Sequence, residues 1–161
     1  SFFMKANPLT SPLKLRLLSG LALLVFSATV LTHNTATASI AGARASARAL
    51  LITLVDRLGL SVRDQYDQGL LQRGDFIVVE TYLNAGNHYF LVAGGCEDAY
   101  DVDIDLFDEN GGLIASDPDA SSVAVAEVSP RWSGKFYVRI TMYDSTPNGA
   151  HWVLQTAYVN E

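Results

Sequence analysis

An all-β fold, an antiparallel two-sheet sandwich with seven to eight strands, is predicted by three observations. Short runs rich in β-branched and aromatic residues recur about every dozen positions through the second half of the chain. Turn chemistry separates them: Asn84-Ala-Gly-Asn87, Glu109-Asn-Gly-Gly112, Asp117-Pro-Asp119 and Asp144-Ser-Thr-Pro-Asn-Gly149. Within the runs, polar and apolar residues alternate with the two-residue period of a half-buried strand. Regular short strands with turns between them are the signature of a sandwich or barrel.

The N-terminal part is built differently. Lys5, Lys14 and Arg16 precede an apolar run from Leu17 to Leu31, and Ala36-Thr37-Ala38 follows it. A basic start, a short apolar centre and an Ala-x-Ala exit are the three parts of a secretory signal peptide. Residues 1–38 are therefore expected to be a leader, with Met4 as its start, and the protein to be secreted or periplasmic. The run is short for a membrane span of about 20 residues. No stable span is expected once the leader is cleaved.

Residues 39–69 are expected to form an N-terminal segment with a short amphipathic helix. Ala47, Leu50, Leu51, Leu54, Val55 and Leu58 recur at helical spacing, Arg44, Arg48, Thr53 and Arg57 fall on the other side, and Gly59 stands where a C-cap belongs. The run Leu50-Leu-Ile-Thr-Leu-Val55 also reads as a strand, because short apolar runs are ambiguous. Residues 60–75 read as polar and transitional, and the sandwich domain is placed at 70–161.

Inside that domain, strands are predicted at Phe76 to Leu83, His88 to Ala93, Asp101 to Phe107, Leu113 to Ala115, Val123 to Val128, Phe136 to Tyr143 and His151 to Val159. Alternation sends Val102, Ile104 and Leu106 inward, with Phe136, Val138, Ile140 and Met142. Tyr137, Arg139, Thr141 and Tyr143 then share the opposite face.

Charge narrows the function. Loss of residues 1–38 removes three basic residues and no acid, leaving eight basic against 17 acidic residues. That balance argues against nucleic acid or anionic lipid as a partner. The acids concentrate between Glu97 and Asp119, where nine fall in 23 positions. Asp101, Asp103 and Asp105 alternate along one strand face, roughly 6.5–7 Å apart, with no basic residue close in sequence. Calcium takes six to eight oxygen ligands from carboxylates and carbonyls. Asp101, Asp103, Asp117 and Asp119 with loop carbonyls form a candidate calcium set, with Asp105 as an outer member. An EF-hand is excluded, since its loop needs Gly where Leu106 stands. The competing reading is a solvated acidic face that keeps an exported protein soluble.

Catalytic patterns are thin. Cys96, His88 and Asp98 lie close in sequence, and a carboxylate pair for glycoside hydrolysis has many candidates but no fixed separation. No catalytic residue is assigned. Cys96 is the single cysteine, so no disulfide forms within the chain. It is expected to be buried, the alternative being a bond between chains. Tyr137, Tyr143 and Trp152 are candidate platform residues for a ligand, with Trp132 the plug of a corner.

The order of these motifs resembles a known family. Leu83-Asn-Ala-Gly-Asn-His-Tyr-Phe-Leu-Val92 leads into Asp101-Val-Asp-Ile-Asp-Leu-Phe-Asp-Glu-Asn-Gly111, then Ala115-Ser-Asp117, then Ser133-Gly-Lys-Phe-Tyr-Val-Arg139. Over about residues 70–159 this is similar to the bacterial pre-peptidase C-terminal domain. The resemblance implies a jelly-roll-like sandwich carried by secreted proteins as a non-catalytic accessory to a peptidase. Its relatives include calcium-dependent collagen-binding modules. It touches Asp101, Asp103, Asp105 and Asp117, and Gly86, Gly111 and Gly134 as structural residues; it leaves the segment from 43 to 58 outside.

The expected function is thus an exported, non-enzymatic binding or accessory module, with calcium as its candidate cofactor. An extracellular protein or a polysaccharide is the expected ligand. The first alternative is an extracellular subunit that self-associates, donating Leu50–Val55 as a strand to a neighbour's sheet. The second is a secreted hydrolase.

Overall fold

The computed structural model describes residues 39–160, so the predicted leader at 1–38 lies outside the described residues. The order is α1 (Ile40–Leu58), β1 (Ser61–Leu71), β2 (Phe76–Leu83), β3 (Asn87–Gly95), β4 (Ala99–Phe107), β5 (Leu113–Asp117), β6 (Val123–Val128), β7 (Gly134–Ser145) and β8 (Ala150–Asn160). Two four-stranded sheets form, ordered β1-β8-β3-β6 and β2-β7-β4-β5, and every hydrogen-bonded pair is antiparallel. Eight strands divided this way between two sheets make the sandwich expected from the strand rhythm, in jelly-roll order.

The core lies between the sheets. From β4 come Val102, Ile104 and Leu106, and from β7 Phe136, Val138, Ile140 and Met142, all without solvent exposure, as alternation predicts. Tyr89, Leu91 and Val153 answer from the other sheet. Turns close where the sequence marked them. Gly86 and Gly111 sit at φ 82°, a region that costs a residue with a Cβ. Asp108 braces the second turn by accepting from the backbone N–H groups of Asn110 (2.8 Å) and Gly112 (2.7 Å).

Two findings bear on the segment before the sandwich. First, the expected helix forms: residues 50–55 belong to α1, a helix of 19 residues capped by Ser39, whose Oγ accepts from Gly42 N, and by left-handed Gly59. Ala43, Ala47 and Leu51 form its buried stripe, against β3 and β8. The run expected as a strand to donate is helical here, with Leu51 buried against its own sheet. Second, residues 61–71 are a full edge strand, so the sandwich begins before residue 70. A register shift between Val62 and Tyr66 breaks the alternation of β1, which is why the sequence there reads as transitional.

Candidate functional site

The outer faces of the two sheets are unlike. On β1-β8-β3-β6, the outward residues Phe90, Val92 and Ala157 are buried with Ala47 and Leu51 of α1. The approach is close enough to need glycine, because a Cβ on Gly94 would stand 2.5 Å from Ala47 N and 2.7 Å from Ala43 O. On β2-β7-β4-β5 no described element covers the outer face.

Strand register sets the composition of that open face. Val78 lies opposite Arg139, Glu80 opposite Tyr137, and Tyr82 opposite Lys135. On the other side of β7, Asp103 faces Thr141, Asp105 faces Arg139 and Phe107 faces Tyr137. Phe76 is 60% exposed and Tyr82 55%. Arg139 is central. Its Nε and one terminal nitrogen donate to Asp105 Oδ2 at 3.1 and 2.8 Å, and its guanidinium carbon lies 5.3 Å from the Phe107 ring centroid and 6.0 Å from that of Phe76. Lys135 and Glu80 pair at 3.0 Å near the rim. Aromatic rings around a held arginine form a flat surface of the kind that anchors protein interfaces.

The five predicted calcium ligands have divided fates. Asp105 is committed: besides Arg139, its Oδ1 accepts from Ser116 Oγ at 2.7 Å. Asp117 accepts from Val125 N (2.8 Å) and Asp119 N (3.2 Å), tying the end of β5 to β6. Asp119 is exposed. Asp101 and Asp103 each keep a buried Oδ1 without a hydrogen-bond partner. Burial pushes the Asp103 carboxyl up from its ordinary range, and the Asp101, Asp105 and Asp117 carboxylates push it further, with Arg139 opposing. Among the described residues, no group of three or more His, Cys, Asp or Glu side chains is placed to hold a metal ion.

Of the predicted platform, Tyr137 and Tyr143 do share the open face, and Tyr143 is well exposed. Trp152 does not join them. It belongs to β8 in the other sheet, is 4% exposed, and lies over its cross-strand partner Gly69. Glycine there leaves a slot that the indole fills, so an aromatic read as surface is core. Trp132 stacks on the core residue Phe136 with ring centroids 5.5 Å apart, as a corner plug does.

The Cys–His–Asp constellation is not assembled. His88 opens β3 and Cys96 follows its end, a separation of roughly 26 Å along the strand. Cys96 is buried and unpaired, its Sγ accepting from His151 N at 3.3 Å. His88 Nδ1 instead lies 2.8 Å from Ser129 Oγ.

Sequence reasoning missed that Phe76, Val78, Tyr82 and Phe107 share the open face with Tyr137, and that Arg139 is the counter-ion of Asp105. The signal was present in the alternation of each strand. What was missing was the order of strands in the sheet, which sets β7 between β2 and β4.

No family model matches the chain, and no curated protein matches it. Among solved structures it is similar to Aeromonas hydrophila PliG, a periplasmic lysozyme inhibitor of g-type lysozyme, at 16% identity and a TM-score of 0.44. That match covers 59% of this chain and 85% of the other.

Proposed function

We propose that this chain is an exported, non-enzymatic binding module whose ligand is a protein docked on the outer face of β2-β7-β4-β5. The observation that carries the reading is the contrast in cover. One sheet has its apolar outer face buried by α1, while the other leaves Phe76, Val78, Tyr82 and Tyr143 exposed around the Arg139–Asp105 pair. Large rigid aromatics lose little conformational entropy on binding, and a pre-paired arginine is already oriented. The basic, apolar and Ala-x-Ala parts of residues 1–38 support export. The ordered motifs from Leu83 to Arg139 support an accessory role of the pre-peptidase C-terminal kind.

The test is a binding panel of collagen-like peptides, cell-wall polysaccharide and purified extracellular proteins, run with the full chain and with a Tyr82→Ala/Tyr137→Ala double variant. A protein ligand is expected to bind the double variant at least about tenfold more weakly, as loss of two aromatic anchors implies, with the melting temperature kept. Binding to polysaccharide alone, or equal binding by the variant, overturns the proposal.

Calcium belongs to this proposal on narrower ground. The partnerless Oδ1 atoms of Asp101 and Asp103 would gain a counter-ion.

A further inference from the structure

A second site lies on the opposite side of the molecule. α1 and the bulged start of β1 enclose a cleft of about 320 Å³ that reaches Gln155 of β8. We infer that this cleft binds a small amphipathic carboxylate, an organic acid with an apolar tail. It shares no residue with the sheet face proposed above and is argued independently of it.

The apolar wall comes first. Leu51, Ile52 and Val55 line the cleft from the helix and Val62 from the strand. Ile52 is 54% and Val62 41% exposed, high for branched aliphatic residues facing each other across a groove. No described residue fills the space between them. Cavities of a few hundred Å³ with apolar walls and a few placed polar groups are the usual form of a small-molecule site.

Charge then selects the ligand. Arg44 and Arg48 stand one helical turn apart and so share a side of α1. Arg44 is held in place, its guanidinium carbon 4.3 Å from the Tyr66 ring centroid and one nitrogen donating to Tyr66 Oη at 3.3 Å. Arg48 has no acidic partner among the described residues. Asp56 and Asp64 also line the cleft, and neither pairs with either arginine. Arg63 directs its guanidinium away, to Thr81 Oγ1 (3.3 Å) and the Tyr82 carbonyl (2.9 Å) on β2. The bulge that re-aims Arg63 leaves its carbonyl to accept from Gln155 Nε2 at 2.6 Å, fixing that buried amide at the base of the cleft.

Two adjacent cations at one end and an aliphatic wall beside them complement a carboxylate head and a hydrocarbon tail. Guanidinium binds carboxylate through paired hydrogen bonds, which sets the head at Arg48 with Arg44 as its neighbour.

The test titrates the ¹⁵N-labelled full chain with sodium decanoate, sodium acetate and decyltrimethylammonium, and repeats decanoate with Arg48→Gln. Decanoate is expected to shift amides of α1 and β1, acetate and the cation to do so far more weakly. Arg48→Gln is expected to weaken decanoate about tenfold or more with an unchanged melting temperature, since the exposed Arg48 side chain makes no hydrogen bond or ion pair among the described residues. Equal binding of decanoate and the cationic amphiphile overturns the inference, as do unchanged affinity in Arg48→Gln and shifts confined to β2, β4 and β7. That last result would place the acid on the aromatic sheet face and leave the protein-binding proposal to its own panel.

Discussion

The two sheets carry the same alternation on their inner faces and opposite arrangements on their outer ones. In β3 the residues from Tyr89 to Gly95 are buried on both sides, because α1 lies on the outer side. In β4 burial alternates from Asp101 to Phe107, because nothing described lies over its acidic side. The chain supplies for the first sheet what the second lacks. That contrast, one apolar face covered by the chain's own helix and aromatic side chains exposed on the other, is the ground on which an outside partner is proposed for the second face.

The largest expected effect comes from lifting the cover. Gly94→Val would drive a branched side chain into the backbone of α1 at Ala43 and Ala47. Neither strand nor helix backbone can yield as a flexible side chain would. A loss of about 3 kcal/mol is expected in urea unfolding, the upper range for overpacking, with increased binding of an apolar dye as the first sheet's outer face opens. Val78→Ala on the bare face is the matched control and is expected to stay within about 0.5 kcal/mol. If the two variants cost the same, the contrast between the faces has no energetic meaning.

A smaller loss is expected from Arg139→Met. The side chain of Asp105 is only 13% exposed, while that of Arg139 is 42% exposed. Removing the cation strands a largely buried carboxylate beside Asp103, at a cost of about 1–3 kcal/mol. Adding Asp105→Asn to Arg139→Met is expected to recover most of the loss, since no carboxylate is then left without its counter-ion. No recovery in the double variant would mean that Arg139 acts through packing on Phe76 and Phe107 instead.

How far these faces were legible in the sequence depends on range. Alternation within one strand is local, so the inward set of β4 and β7 and the outward Tyr137, Arg139, Thr141 and Tyr143 could be read directly. The turns at Gly86 and Gly111 were legible for the same reason, each resting on a few adjacent residues. Arg139 beside Asp105 was not, because 34 residues separate them and only the β7–β4 register joins them. Trp152 was misplaced by a similar gap: the glycine that admits its ring is Gly69, on another strand. The edge strand β1 was hidden by its bulge, and the same bulge shapes the cleft with α1. Interruptions of pattern thus concealed a strand and a candidate site together.

The smallest expected effect concerns Asp103, and its sign is the useful part. Burial and three neighbouring carboxylates raise its folded-state pKa, so the folded protein takes up this proton more readily than the unfolded chain. The ionised group therefore opposes folding above the folded-state pKa, and the penalty fades as pH falls toward the unfolded value. Asp103→Asn is expected to raise the unfolding free energy at pH 7, by no more than about 1 kcal/mol for a group this accessible, and the melting temperature with it, the gain vanishing in acid. Calcium makes the contrary prediction from the same residue. If the ion stabilises the bare sheet, millimolar calcium raises the melting temperature of the natural chain, and Asp103→Asn removes that rise. A stabilised variant together with an unchanged response to calcium assigns the acidic strand to charge repulsion alone, and takes calcium out of the account of this face.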